Sequence, residues 1–386
     1  MKNKTKRNLT IICISAFLMA ILFTCALAGY VMTSKPQITQ KDVVTYVETN
    51  EKGEKNVVEV EQIEGSYNFL VLGYDNVMLS TGQNKYTGLT DVIMLVNLDL
   101  NKKEMTITQF PRDTYVSNDV PLHKINATFE TYYFNEVSKG ASEDEARINA
   151  LEQFAETLES ALGINIKFHA VMNLEGFGNI VDKLGGVEVN VPSELVYTDE
   201  AQNLYINLKP GLQTLNGDQA IQFVRYRKGY LQADIGRGNA QKIFLASLLK
   251  KVKESNISTL TSIAGDILAN TSTNVTVEDL IYFAKGVIGE IDLSAVKMYT
   301  APGNVPAQSM AYVLQRDRLM DIIVEHYNTT GVDDAMLRNN FDKDLYFTDS
   351  SDPSYSAAYY ATGDPLINYE FDAQKIIDES IDIPMT

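Results

Sequence analysis

The chain has 386 residues, with 33 lysines and arginines against 50 acidic residues and a formal net charge of −17. That balance argues against a nucleic-acid partner, which needs a basic face to neutralise phosphates. The length suffices for one large domain or two ordinary ones, and the two cysteines, Cys13 and Cys25, both lie near the start, so the remainder folds without disulfides.

Lys2, Lys4, Lys6 and Arg7 precede an uncharged run from Asn8 to Ser34 that is largely apolar from Leu9 to Met32. This exceeds the roughly 20 residues a helix needs to cross a bilayer. The basic flank places residues 1–8 in the cytoplasm and everything after Lys35 outside. The expectation is a retained signal-anchor over 9–32, single-pass in the cell membrane, since the run outlasts the about 7–15 apolar residues of a signal peptide. Cleavage near the small residues Ala26, Ala28 and Gly29 is the alternative. A lipoprotein reading through Cys25 is weaker, because bulky Phe23 and Thr24 precede it. Residues 33–65, polar and ending acidic, read as a stalk.

At Tyr67 the pattern changes. Residues 67–73 and 91–98 are short and mostly apolar, as buried strands are, and 104–110 alternates as a third strand. Ser142 and Glu145 are spaced as a capping box for a helix running to about Leu162. A strand at 168–173, a helix at 174–184 and a strand at 186–191 follow, with Gly185-Gly186 marking the turn. A long amphipathic helix starts near Ile235, and helices at 257–269 and 276–288 lead to a strand at 295–300. The alternation predicts an α/β domain over 66–330, a mixed central sheet covered by helices. Residues 331–386 are acidic, with serines, asparagines and tyrosines interspersed. They read as an extended or disordered tail whose tyrosines are able to dock on the domain.

The chain has no G-x-S-x-G elbow, Walker A loop or H-E-x-x-H. His123, His169 and His326 show no metal-ligand spacing. What remains is aspartate and arginine at strand ends. Asp75 follows the first strand and Asp91 opens the second, so adjacent strands bring both carboxylates to one sheet edge. Hard oxygen ligands suit Mg²⁺, which takes one or two carboxylates and completes its shell with water and phosphate oxygens. Turn aspartates are the plainer reading. Arg112 and Asp113 follow the third strand, ended by Pro111; an internal ion pair would explain them, and Lys124 reads as a solvated lysine. Arg225 and Arg227 share a face if on a strand, Arg237 and Gln241 share a helix face, and Asp234 suits an N-cap. Three planar guanidiniums beside a helix N-terminus make a claw for phosphate or pyrophosphate. A salt-bridge network is the competing account.

Taken in order, NFLVLGYD, the TD before VIMLVNL, PRDTYV, HKIN, VDKLGGVEVNV, LKPGLQTLNGDQAIQFVRYR and D-x-G-R resemble the LytR-CpsA-Psr family, membrane-anchored enzymes of mainly Gram-positive bacteria. The resemblance runs from about Tyr67 to Val252 and more weakly to about 328. It implies an α-β-α domain with a hydrophobic cleft for a polyprenyl chain. It also implies transfer of a glycopolymer, such as teichoic acid or capsule, from a polyprenyl-pyrophosphate carrier onto a peptidoglycan hydroxyl. By position, Asp75 and Asp91 match the family's Mg²⁺-binding acids, and Arg112, Arg225, Arg227, Arg237 and Gln241 its pyrophosphate-binding residues. Asp113 and Lys124 match motif positions of open role; no general base is identified among Asp75, Asp91 and Asp113, since an acid bound to metal is a poor base. The chain departs from the pattern at Leu89, where arginine is common, and at Ala240-Gln241-Lys242, where Arg-Gln-Gln is usual. It also lacks a glycine pair within Thr128–Gly140; Lys242 is expected to offset some lost charge. Two rivals stay open: a lipid pyrophosphatase, and a non-catalytic receptor for prenyl phosphate or wall polymer. A transcription regulator is disfavoured by the short cytoplasmic segment.

Overall fold

The computed structural model describes residues 43–49, 55–78, 84–200, 204–231, 233–306, 309–349, 351–361, 370–379 and 383–385. The apolar run at 9–32 lies outside them, and among the described residues no helix is long and apolar enough to cross a membrane.

Strands β1 (Val43–Thr49) and β2 (Lys55–Glu61) form an antiparallel hairpin. This corrects the reading of 33–65 as a bare stalk. Tyr46 is buried and its hydroxyl meets Thr330 Oγ1 at 2.9 Å, while the Asn340 amide both donates to and accepts from the Val47 backbone. The acidic end of the segment hid an alternation in which Val44, Tyr46 and Val60 face inward.

The central sheet begins with β3 (Ser66–Met78), β4 (Asn84–Asp99) and β5 (Glu104–Gln109), an antiparallel meander. Helices α1 (Thr128–Ser138) and α2 (Glu143–Leu162) follow, and the Ser142–Glu145 capping box forms as expected. Next come β6 (Phe168–Asn173), α3 (Leu174–Lys183) and β7 (Val187–Val191). Strands β8 (Leu195–Asp199) and β9 (Leu204–Leu208) make a hairpin, and β10 (Gly211–Leu215) pairs with β7. The helices α4 (Gly217–Arg225), α5 (Ala233–Glu254) and α6 (Ile257–Ala269) precede β11 (Thr271–Thr273), α7 (Val277–Gly289) and β12 (Val296–Thr300). Then β13 (Gly303–Asn304) and β14 (Val313–Leu314) lead to α8 (Arg316–His326).

Among the described residues the main sheet has the order β11-β6-β3-β4-β5-β12-β15, where β15 is Glu370–Asp372. β3 runs parallel to β6 and β5 parallel to β12, so the sheet is mixed, as the alternation predicted. Its two faces differ. Leu70, Leu72, Ile93 and Leu95 are sealed against a cluster that includes Phe129, Phe154 and Leu319 of α1, α2 and α8. Full burial of each such side chain is worth about 1.5–3 kcal/mol. The alternate residues Phe69, Val71, Val92 and Val96 point to the other side, as a period of two requires, and remain partly exposed.

The segment after Gly331, expected to be extended or disordered, is folded where described. It contains α9 (Asp334–Asn340), α10 (Pro353–Tyr359) and α11 (Ala373–Glu379), with β15 added to the sheet edge beside β12. Phe347 and Tyr359 have no exposed surface. The acidic composition masked these aromatic anchors, which supply the apolar area that docking requires.

Candidate active site

Asp75 and Asp91 meet because the β3–β4 ladder slips. Gly73 pairs with Val92, Tyr74 with Thr90 and Asn76 with Tyr86. In an unbroken register Asp75 would lie opposite Thr90, leaving Asp91 on the other face. The one-residue slip turns the side chains over, and bulges of this kind re-aim residues at working edges. Both carboxylates line one cavity of about 340 Å³.

The guanidiniums arrive from three other segments. Arg112 follows β5, and its Nη1 donates to Asp91 Oδ1 at 2.7 Å. Arg225 is the last residue of α4, and its Nη2 lies 2.6 Å from Asp75 Oδ2. This corrects the strand expectation for Arg225 and Arg227. Asn216 and Gln219 cap a helix that buries Ala220, Phe223 and Val224, and the chain turns extended only at Tyr226. The two arginines still reach the cavity, from either side of a helix end. Arg237 and Gln241 share one face of α5, as expected, and both are buried. Arg237 Nη2 stands 3.5 Å from Asp91 Oδ1. Gln241 donates to the Val224 carbonyl and accepts from Gln109 Nε2 at 2.6 Å.

Asp234 does more than the N-cap role suggested. It lies in the first turn of α5, with Oδ1 2.8 Å from Arg237 Nη2 and 3.6 Å from both Arg112 Nε and Arg227 Nη1. The salt-bridge account is therefore correct in part, yet it leaves charge over. Arg112, Arg225, Arg227, Lys228 and Arg237 line the cavity against Asp75, Asp91 and Asp199, and with Asp234 behind them that is five cations to four carboxylates. A positive hollow in a chain of net −17 invites an anion.

The two acids are tuned apart. Burial pushes Asp91 up, but Arg237 and Arg112, helped by Arg225, outweigh it and hold the carboxyl below its ordinary range. Burial raises Asp75, Arg225 opposes this, and the neighbouring Asp91 charge adds to the rise. Among the described residues no group of three or more His, Cys, Asp or Glu is placed to hold a metal. Asp75 and Asp91 are instead a pair of hard oxygen donors close enough to feel each other's charge. That donor set fits Mg²⁺, which keeps most of its shell for water and substrate oxygens.

Other expected residues fall outside the cavity. Asp113 pairs with Lys124 at 3.0 Å and touches Arg112 only at 4.0 Å; neither Asp113 nor Lys124 lines the hollow. Leu89 is more than a third exposed. Lys242, expected to replace lost cationic charge, is buried away from the cavity. Its Nζ donates to Thr300 Oγ1 at 2.5 Å and lies 5.4 Å from the Phe371 ring. Burial alone pulls its ammonium down to about 7. Lys242→Gln is therefore expected to stabilise the protein by roughly 1–3 kcal/mol at pH 7, because an uncompensated buried charge is removed. The folded pKa lies below the unfolded 10.5, so the wild-type penalty is complete below about pH 7 and fades toward pH 10.5. Urea denaturation at pH 6.5 and 9.5 checks this; an equal gap at both values would refute it.

Sequence reasoning missed one wall. Tyr197 and Asp199 of β8, with Lys228, line the cavity, and Tyr197 donates to Asp199 at 3.3 Å. Lys228 Nζ stands 5.5 Å from the Tyr197 ring, within cation–π reach. Tyr197 and Asp199 belong to no motif, and the β8–β9 hairpin brings them to the site, whereas Lys228 arrives directly behind Arg227.

A sequence model of the LytR_cpsA_psr family matches residues 31–326. The polyisoprenyl-teichoic acid–peptidoglycan teichoic acid transferase TagV of Bacillus subtilis is 27% identical over 303 residues, 75% of this chain and 71% of TagV. The regulatory protein MsrR of Staphylococcus aureus is 29% identical over 247 residues, 62% of this chain and 65% of MsrR, a little under two thirds of that relative. The crystal structure of B. subtilis TagV is similar in fold with a TM-score of 0.50 at 25% identity, covering 69% of this chain and 99% of that structure.

Proposed function

The chain belongs to the LytR-CpsA-Psr family, and from that premise we propose that it moves a glycopolymer of the teichoic acid class from a polyprenyl-pyrophosphate carrier to a peptidoglycan hydroxyl. The observation that carries this reading is the cationic hollow whose wall also carries the apolar side chains of Val92, Leu174, Leu204 and Val224. A pyrophosphate joined to a hydrocarbon chain needs both surfaces together.

In the proposed reaction the acceptor hydroxyl attacks the phosphorus bearing the glycopolymer. A new O–P bond forms, the bridging P–O bond breaks, and polyprenyl phosphate leaves with the electron pair. Such transfer depends on positioning and charge neutralisation. Arg112, Arg225, Arg227 and Arg237 hold the pyrophosphate oxygens, and Gln241 fixes the wall behind them. Val92, Leu174, Leu204 and Val224 offer apolar surface to the first prenyl units. The hydroxyl proton passes to solvent water, since a carboxylate that holds a metal is a poor base. Asp75 and Asp91 would hold Mg²⁺, which when bound neutralises phosphate oxygens and improves the leaving group. We place the enzyme at the cell membrane, anchored through residues 9–32, where it shares a surface with its lipid-linked donor.

The test combines the full-length protein in lipid nanodiscs with Mg²⁺, a polyprenyl-pyrophosphate glycan and peptidoglycan oligomers, read by mass spectrometry. The expected product is a phosphodiester-linked glycan–peptidoglycan, with its yield reduced at least about tenfold by Arg227→Ala. Polyprenyl phosphate released without a linked product would point to a pyrophosphatase. Tight binding without turnover would point to a receptor.

A further inference from the structure

Resting on the reading of the arginine cluster as a pyrophosphate site, we propose that the segment after Gly331 is a positioning clamp for that cluster. It lies beyond the residues the family model matches, yet it grips the two loops that carry Arg112 and Arg227.

The first grip is on the loop after β5. Phe110 is fully buried and stacks on Phe347, with ring centroids 6.1 Å apart and planes 11° from parallel. The Ser117 amide donates to the Tyr346 carbonyl at 2.7 Å. Arg112 sits between these two attachments, so the tail fixes the loop on both sides of the residue aimed at Asp91. The turn presenting Tyr346 and Phe347 is itself over-determined. Asp342 and Leu345 both stand at positive φ, 44° and 56°, where non-glycine residues are uncommon. The Asp342 carboxylate holds them there by accepting from the Tyr346 and Phe347 amides and from the Tyr359 hydroxyl. Strain of this kind survives only where surrounding contacts impose it, and it concentrates at working parts of proteins.

The second grip is on the turn between Arg227 and α5. The Leu231 amide donates to the Pro384 carbonyl at 2.8 Å, and Tyr230 forms an antiparallel bridge with Met385. Tyr230 is buried against Gly236, where an added Cβ would come within 2.4 Å of the tyrosine Cβ. The turn therefore has no room to shift, and it sets the spacing between Arg227 and Arg237. Two loops far apart in sequence are pinned by one C-terminal segment. Phe347 and Ile383, the latter buried just before Pro384, are assigned as positioning residues that act through the arginines.

The experiment uses the full chain and inorganic pyrophosphate as the probe, with Phe347→Ala beside the conservative Phe347→Leu. Phe347→Ala is expected to raise hydrogen exchange at the Ser117 amide about tenfold. Pyrophosphate affinity by calorimetry should fall about tenfold, and Phe347→Leu should restore both to within about threefold of wild type. In an Arg112→Ala background the affinity loss should vanish, because Phe347 acts through that arginine. Unchanged exchange at Ser117, or an equal loss with Arg112 already removed, overturns the clamp. Ile383→Ser carries the test at the other grip if Phe347→Ala does not fold: faster exchange at the Leu231 amide supports the clamp, and unchanged exchange overturns it. Wild type failing to bind pyrophosphate overturns the reading of the arginine cluster, and the exchange measurements then decide the clamp by themselves.

Discussion

Asp91→Ala is expected to lower kcat/KM for glycopolymer transfer by roughly 10³-fold or more, the scale set by losing a preorganised electrostatic contact together with the metal ligand that we propose. One oxygen of this carboxylate stands 2.7 Å from Arg112 and 3.5 Å from Arg237. Without it, both guanidiniums fall under the pull of Asp234, already 2.8 Å from Arg237 and 3.6 Å from Arg112. They would then turn from the cavity toward the start of α5. Asp91→Asn keeps an acceptor for Arg112 but removes the charge, so its loss should be intermediate. The arginines hold Asp91 below its ordinary 3.8. Its stabilising charge is thus present above that value and lost as the pH falls through the lower folded value, and the stability gap between wild type and Asp91→Ala should close in strong acid. Steady-state kinetics with urea denaturation at two pH values measures both effects. Activity of Asp91→Ala within tenfold of wild type would remove Asp91 from the site.

Arg225→Ala should act through Asp75 and change the shape of the pH–rate profile as well as its height. The guanidinium 2.6 Å from Asp75 is the influence that opposes burial and the Asp91 charge, both of which push the Asp75 carboxyl upward. Removing it lets Asp75 protonate at higher pH. A protonated Asp75 no longer attracts a cation. The loss should be about 10²-fold at pH 8 and larger at pH 6, with the acid limb displaced toward neutrality. Equal losses at the two pH values would show that Arg225 acts on the substrate alone.

The elements were legible wherever the signal was local. Strands 168–173 and helix 257–269 fall where apolar spacing put them, and the Ser142–Glu145 box starts its helix as predicted. The failures share a cause. Arg225 and Arg227 looked like a strand pair because two-residue spacing was considered without the Asn216–Gln219 cap that makes the preceding stretch a helix. Asp234 looked like a cap because position alone does not show that it pairs with Arg227 and Arg237 close by and with Arg112 from far along the chain. Lys242 looked like spare charge because helix position alone does not say which face α5 buries. The β3–β4 slip that unites Asp75 with Asp91 is likewise a property of strand pairing. Residue types foretold the ingredients of the site, while register and burial decided their partners. The hairpin at 43–61 and the C-terminal segment were misjudged because acidic composition was given more weight than a few deeply buried aromatic side chains.

The length of β3 gives the enzyme a direction. The hairpin leads into the central sheet past Ile63, whose amide donates to the Thr329 carbonyl, just before β3 begins at Ser66. Asp75 stands nine residues further on, roughly 30 Å away at the rise of an extended strand. The partly exposed Val71 and Phe69 lie on the stretch between, leading from the reaction centre back toward the point of entry. With residues 9–32 as the proposed anchor, a donor bound along that track would lie with its hydrocarbon end toward the membrane side of the domain and its sugar end pointing outward. Acceptor strands would then be met at the far edge. The working height is set by a rigid strand, so lengthening the chain upstream of Val43 would move the whole domain while leaving this offset unchanged.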